Sequence, residues 1–216
     1  MISIIIPAHN EEKLLSQTLS YLLEDGYLTG VAIIVVCNGC VDNTFAIAER
    51  FNMLNHDSFK TKGITFCCIN EKLASKTNAI NIGLNSAPNG IKVLLDADIK
   101  ISGQYLLNLV DSLNSSVILA SPKLNYDTSA SSTIVKWYYQ IASRSPYNQR
   151  HRISNVIALS EEAQIKLGQL PHIIADDEFV RRQFHCSEYR VVENANFTFT
   201  CPRDARNLLN VLTRVE

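Results

Sequence analysis

Short runs of nearly unbroken isoleucine and valine, each the length of a strand and each followed by a segment of helical periodicity, limit what this chain can fold into more than any other feature. Residues 2–7, 31–37, 64–70, 91–96 and 117–122 read as strands, and 11–23, 41–51, 75–84 and 103–113 as helices between them. A strand with one wet face alternates apolar with polar residues. Ile4-Ile5-Ile6 and Ile33-Ile34-Val35-Val36 do not, so these strands are expected to be covered on both faces. The expectation is an α/β fold with a mostly parallel central sheet and flanking helices. Asn10 is placed to cap the helix from residue 11, and Ser102 the helix from residue 103. Past Pro122 the alternation loosens into a serine-rich turn (Ser129, Ser131, Ser132), an aromatic helix candidate over 134–142 and a basic loop over 144–152.

At 216 residues the chain suffices for one fairly large domain with a substantial core. Its 20 lysines and arginines nearly balance 21 aspartates and glutamates, so no overall field attracts nucleic acid, and binding must rest on local sites. The longest apolar stretches fall far short of the roughly 20 residues that cross a bilayer. The N-terminal run stops at Pro7 with no basic segment before it, so neither a membrane span nor secretion is expected.

The tripeptide Asp96-Ala97-Asp98 stands where an apolar run ends. Two carboxylates one residue apart in an extended segment can share a divalent cation, and the carboxyl end of a buried strand is where open α/β sheets bind ligands. The plain alternative is a solvated strand end. Six cysteines in such a chain suit buried small residues in a reducing compartment better than a disulfide framework. Cys37-Asn38-Gly39-Cys40, between a strand and a helix, also has the context of a thioredoxin-like redox pair, or of half a zinc site completed by Cys67 and Cys68. Adjacent cysteines on a strand point to opposite faces, which suits chelation poorly.

Five segments in order resemble a family 2 glycosyltransferase, a nucleotide-diphospho-sugar transferase of the GT-A fold. They are Ser3-Ile4-Ile5-Ile6-Pro7-Ala8-His9-Asn10-Glu11-Glu12, the run Ile34-Val35-Val36-Cys37-Asn38-Gly39-Cys40-Val41-Asp42-Asn43-Thr44, the helix Lys76-Thr77-Asn78-Ala79-Ile80-Asn81-Ile82-Gly83, Asp96-Ala97-Asp98 itself, and Ile174-Ala175-Asp176-Asp177-Glu178-Phe179-Val180-Arg181-Arg182. Each pattern alone is weak, and their order and spacing together are specific. The resemblance implies a single domain over 1–216, with a Rossmann-like nucleotide-sugar-binding half (1–122) and an acceptor and catalytic-base half (123–216). It implies transfer of a sugar from a nucleotide diphosphate to a hydroxyl on a carbohydrate or glycolipid, in polysaccharide or glycolipid synthesis, at the cytosol or the cytosolic membrane face.

For the site, the resemblance puts Pro7, Ala8, His9, Asn10, Glu11, Asn38 and Ala97 around the donor nucleotide, and Mg²⁺ or Mn²⁺ on Asp98 and on Asp96, directly or through the ribose. Leaving-group charge on the diphosphate calls for such a hard cation. Asp177, the second acid of the pair Asp176-Asp177, is the expected base and makes the enzyme inverting; the alternative is that both acids only cap a helix. Lys76 either offsets phosphate charge or covers its helix face. Cys37 and Asn38 stand where the family usually carries acids, which leaves the nucleotide base open. Gly39 and Asp42 read as turn and helix-start residues. Trp137, Tyr138 and Tyr139 form either an acceptor platform or core packing; Arg144, Arg150, His151 and Arg152 either hold an acceptor phosphate or make a solvated loop. Arg203 and Arg206 either clamp the diphosphate or pair with acids such as Asp204. His172 and His185 read as partly buried, ordinary histidines. A C-terminal amphipathic segment over 207–215 either packs on the sheet or touches a membrane. The rival functions are a degenerate nucleotide-sugar-binding protein and a thiol-disulfide oxidoreductase using Cys37 and Cys40. A sugar-nucleotide pyrophosphorylase would want a glycine-rich basic loop where Pro7-Ala8-His9-Asn10-Glu11 stands.

Overall fold

The computed structural model describes residues 1–146, 148, 151–153 and 155–213. One sheet has the order β3-β2-β1-β4-β6-β5-β7. In chain order its strands are β1 (Ile2–Ala8), β2 (Val31–Asn38), β3 (Thr65–Glu71), β4 (Ile91–Leu95), β5 (Leu119–Asp127), β6 (Val156–Leu159) and β7 (Tyr189–Thr200). The helices are α1 (Leu15–Glu24), α2 (Thr44–Lys62), α3 (Lys76–Ser86), α4 (Gly103–Asp111), α5 (Thr133–Ala142), α6 (Glu161–Leu167), α7 (Asp176–Arg182) and α8 (Ala205–Thr213). All pairings are parallel except those of β6, which runs against both β4 and β5.

Both faces of the central strands are covered, as the sequence implied. Ile4, Ile6, Ile33 and Val35 pack with Leu15 and Leu19 of α1, Ala48 and Phe51 of α2 and Leu106 of α4. From the other face, Ile5 and Leu94 meet Ile80 of α3, Ala163 of α6 and Val180 of α7. A separate cluster of Val135, Tyr139, Cys201 and Leu208 holds α5 and α8 beyond the ends of β5 and β7. Because β2 and β3 lie on one side of β1 and β4 on the other, the chain reverses its order between β1 and β4, and a crevice opens at their carboxyl ends.

Several expectations need correction. Asn10 does not cap α1: its backbone is left-handed (φ 56) and its side chain instead accepts the Val41 N–H at 2.9 Å. The helix starts only at Leu15, after a turn in which Leu14 and Leu15 donate to the Glu11 carbonyl. Ser102, by contrast, does cap α4 through the Tyr105 N–H. Strand β4 ends at Leu95, and Asp96-Ala97-Asp98 is a turn closed by the Ile99 N–H on the Asp96 carbonyl. The turn buries Ala97 and Ile99 in the core. Helix α2 runs to Lys62 rather than residue 51, because Phe59 keeps the apolar face going through a polar stretch before Gly63, at φ 63, stops it. Strands β6 and β7 were not foreseen. The first is four residues long, and the second is interrupted by a register shift opposite Pro122 and Lys123 that hides its alternation.

Gly83 lets α3 lie close on β1: a Cβ there would sit 2.3 Å from Ile5 Cγ2. Gly83→Ala overpacks this contact, and we expect a loss of about 1–3 kcal/mol in denaturant unfolding, with donor binding weakened as α3 is pushed outward.

Candidate active site

The carboxyl ends of β1, β2 and β4 and the first turn of α3 enclose a cleft of about 220 Å³ lined by Pro7, His9, Glu11, Asn38, Lys76, Asp96, Ala97 and Asp98. All eight are among the residues that the resemblance offered for the donor site, Lys76 with a helix-covering role as its alternative. Ala8, in contrast, is buried in the core, and Asn10 is exposed and outside the lining.

Two loops form one wall. His9 Nδ1 donates to the Asn38 carbonyl at 2.6 Å, which fixes the tautomer and leaves Nε2 to accept from Asn10 Nδ2 at 3.1 Å. The Glu11 N–H donates to Thr44 Oγ1 at 2.7 Å, the Glu12 N–H to Asp42 at 3.2 Å, and Asn43 donates twice to the Glu12 carboxylate. Asp42 also accepts from Thr44, and these hydrogen bonds outweigh its partial desolvation and hold it below the usual carboxylate range. Gly39 turns the β2 end at φ 60 with Ala74 so near that a Cβ would sit 2.5 Å from it. Asp42 and Gly39 thus do structural work here.

The other wall is charged. Lys76, first residue of α3, sets its Nζ 2.8 Å from Asp96 Oδ1 and 3.1 Å from Asp176 Oδ2. The second Asp96 oxygen accepts from Asn155 Nδ2 at 3.0 Å, while the Asp96 N–H donates to the Asn155 carbonyl at 2.9 Å. Asn155 holds a left-handed backbone (φ 61) that asparagine tolerates better than most residues. This partner was missed; its only signal is an asparagine just ahead of an apolar run. Desolvation opposes the Lys76 charge, but the two carboxylates prevail and raise its pKa. Asp176 is buried, and desolvation, aided by Asp96 and Asp177, raises its pKa despite Lys76.

Asp98 is solvent-accessible at the cleft mouth, yet crowding by the walls and the neighbouring Asp96 charge raise its pKa. Burial and the charges of Asp98, Asp42 and Asp96 do the same to Glu11. Four carboxylates, Glu11, Asp96, Asp98 and Asp176, therefore face one ammonium. Such a surplus repels a bare diphosphate and suits a cation. Both Asp96 oxygens are engaged, whereas among the described residues no side chain bonds the Asp98 carboxylate. Asp98 is a hard oxygen donor left open, which fits Mg²⁺ or Mn²⁺. No three of His, Cys, Asp and Glu among the described residues are close enough together to hold one metal ion between them, so such an ion would complete its shell with ligand oxygens and water.

Asp177 lies half-buried at the start of α7 with Oδ1 on the Glu178 N–H at 2.8 Å, next to Asp176 but not in the cleft lining. Neither acid is the helix cap; Ala175 occupies that position. Arg203 and Arg206 are exposed near α5, where the Arg203 carbonyl accepts from Ser132, and neither lines the cleft. Arg150 lies outside the described residues. Of the aromatics that were either an acceptor platform or core packing, Tyr139 is buried, whereas Trp137 is 63 % exposed and does not pack in the core. His172 and His185 are exposed, not partly buried, because each sits in an unpacked turn.

Cys37 is fully buried, and desolvation pushes its thiol up to about 12, so it supplies no thiolate for redox chemistry. Cys40 donates to the Ala8 carbonyl. Cys67 and Cys68 pair with Ile34 and Val35 on β2, so their side chains point to opposite faces and only Cys68 is near Cys37, whose own strand partner is Asn70. The zinc reading fails on that register.

The model of "Glycosyl transferase family 2" matches residues 3–186. The chain belongs to that family. Among solved structures it is similar to the Pyrobaculum calidifontis mannosyltransferase PcManGT in complex with GDP-Man and Mn²⁺ (TM-score 0.73, 20% identity, covering 99% of this chain and 60% of that one). It is also similar to S. aureus TarS 1-349 in complex with UDP-GlcNAc (0.68, 14%, covering 92% and 58%). A third is glucosyl-3-phosphoglycerate synthase from Mycobacterium tuberculosis with Mn²⁺, UDP and phosphoglyceric acid (0.62, 17%, covering 99% and 75%). The fold is that of the GT-A glycosyltransferases. The chain spans about three-fifths of the length of the first two. No curated protein matches it significantly.

The raised pKa of Asp98 has a testable sign. With its folded pKa above the unfolded value, the folded state binds more protons between the two, and ionised Asp98 lowers stability at neutral pH. Without ligand, Asp98→Asn should melt higher than wild type at pH 7. The gap should close as pH falls through the raised folded pKa toward the ordinary aspartate value.

Proposed function

We propose that this chain transfers a sugar from a nucleotide diphosphate to a hydroxyl acceptor, with a divalent cation and with inversion at the anomeric carbon. The observation that carries the reading is the convergence of Glu11, Lys76, Asp96 and Asp98 at the switch point of the sheet, in a chain of this family. The donor nucleoside would lie along Pro7, His9, Glu11 and Asn38. The nucleotide-sugar ligands named for PcManGT and TarS, which differ in base, support a donor of this class.

In this reading Asp98 provides the open carboxylate for Mn²⁺ or Mg²⁺. When bound, the ion offsets negative charge building on the leaving diphosphate. Asp96 cannot turn freely, because Lys76 and Asn155 hold its two oxygens; it orients the ribose side of the site and keeps the turn fixed. Asp176, paired with Lys76, anchors the start of α7. That leaves Asp177, carried on the same turn, to take the proton of the attacking hydroxyl.

The test is thermal stabilisation by a panel of nucleotide diphosphates and their sugars, with and without Mn²⁺, followed by turnover with the donor it selects. Selective, Mn²⁺-dependent stabilisation should be lost in Asp98→Asn. Asp177→Asn should keep donor stabilisation while turnover falls by about 10²–10⁴-fold. Full turnover in Asp177→Asn would remove it as the base. Donor binding without turnover in the wild-type chain would instead favour a degenerate binding protein.

A further inference from the structure

Helix α5 buries Val135 and Tyr139 and turns its opposite face outward. Ile134 (63 % exposed), Trp137 (63 %), Tyr138 (38 %) and Ile141 (74 %) recur at the spacing of one helical face. Beside it α8 exposes Leu209 (61 %) and Leu212 (40 %). Scattered exposed hydrophobics need no explanation, but a continuous stripe that holds the chain's one tryptophan does.

The charge around the stripe specifies what covers it. Residues 128–160 contain no aspartate or glutamate and carry Lys136, Arg144, Arg150 and Arg152, in a chain whose net charge is −1. Exposed Arg203 and Arg206 flank α8. The acids at that end are each tied locally: Asp127 accepts the Ser129 N–H, and Asp204 accepts both the Asn207 N–H and the Asn207 side-chain amide. A second copy on this face would set positive charge against positive charge. An aromatic and aliphatic stripe edged by arginine and lysine matches an anionic lipid surface, where rings settle at the headgroup level and cations meet phosphates.

Topology adds where this surface points. Strands β5 and β7 run in the same direction as β4, so α5 and α8, which follow them, stand at the end of the sheet that holds Asp96 and Asp98. We propose that the exposed faces of α5 and α8 dock this protein peripherally on an anionic bilayer, with the donor-cleft end of the sheet toward the lipid. No helix among the described residues is long and apolar enough to cross a membrane, so docking here is interfacial. The proposal goes beyond the assignment of a transferase and stands or falls without turnover.

Trp137 makes the test direct, since all tryptophan emission comes from this stripe. The full chain is titrated with vesicles of phosphatidylcholine plus phosphatidylglycerol, and with phosphatidylcholine alone. The expected result is a blue shift of emission and co-sedimentation with the anionic vesicles only, weakened by added salt. Ile134→Glu combined with Ile141→Glu should lower partitioning on the order of 10-fold or more, with melting temperature and nucleotide-dependent stabilisation unchanged. Unshifted emission with anionic vesicles, or binding that survives the double substitution, would overturn the proposal. So would a lipid-free, concentration-dependent dimer whose emission is already blue-shifted, which would assign the stripe to a second copy.

Discussion

The Lys76 ammonium, 2.8 Å from Asp96 and 3.1 Å from Asp176, ties together the first turn of α3, the end of β4 and the start of α7. A lysine on the first turn of a helix opposes the helix dipole, so its position reflects the two carboxylates rather than local preference. Such a contact adds little net stability, because desolvating the charges offsets much of their attraction. Its value is geometric. Removing the ammonium would leave two crowded carboxylates without their common partner, and α7 would lose its ion pair to α3. The contact itself depends on apolar packing: Ser75 caps α3 through the Asn78 N–H, and Gly83 lets that helix lie close on Ile5.

The same wall carries a cost that only ligand binding removes. Glu11, Asp98 and Asp176 each have a raised pKa, with desolvation as the leading cause, so the cleft holds ionised groups where water solvates them poorly. Sites that retain such groups give up stability for function. In the proposed reading a hard cation with its diphosphate would relieve Asp98 and Glu11, whereas Asp176 already has Lys76. That separation divides the acids into those free to meet ligand and those committed to holding the frame.

Much of this was legible in the sequence, and the gaps have physical causes. Runs such as Ile33-Ile34-Val35-Val36 admit only a doubly covered strand, so the central sheet could be read directly. Asp96, Asp98 and Glu11 could be placed at one site because strand ends in such a sheet converge, whereas Lys76, on a helix, comes with the family resemblance, which leaves it between two roles. The role of Asn10 could not be read, since a left-handed asparagine that accepts from the next loop and a helix cap look alike in sequence. Strand β7 escaped because its shift against β5 breaks the period of two. Asn155 escaped for a similar reason: its contact with Asp96 spans 59 positions and belongs to no local pattern.

The reversed strand explains why a residue so distant in sequence reaches the cleft at all. A strand running parallel to β4 would begin at the far end of the sheet and bring only its last residues to Asp96. Since β6 is antiparallel, its first residues arrive there, with Val156 opposite Leu95 and Asn155 just beyond. The Asp96 backbone N–H and one carboxylate oxygen then both pair with Asn155, which pins the turn from two sides. With Lys76 on the other oxygen, Asp96 has no rotational freedom left, and Asp98 two residues on inherits a defined position at the mouth. A single antiparallel insertion in an otherwise parallel sheet thus joins the later part of the chain to β1, β2 and β4 at the candidate cleft.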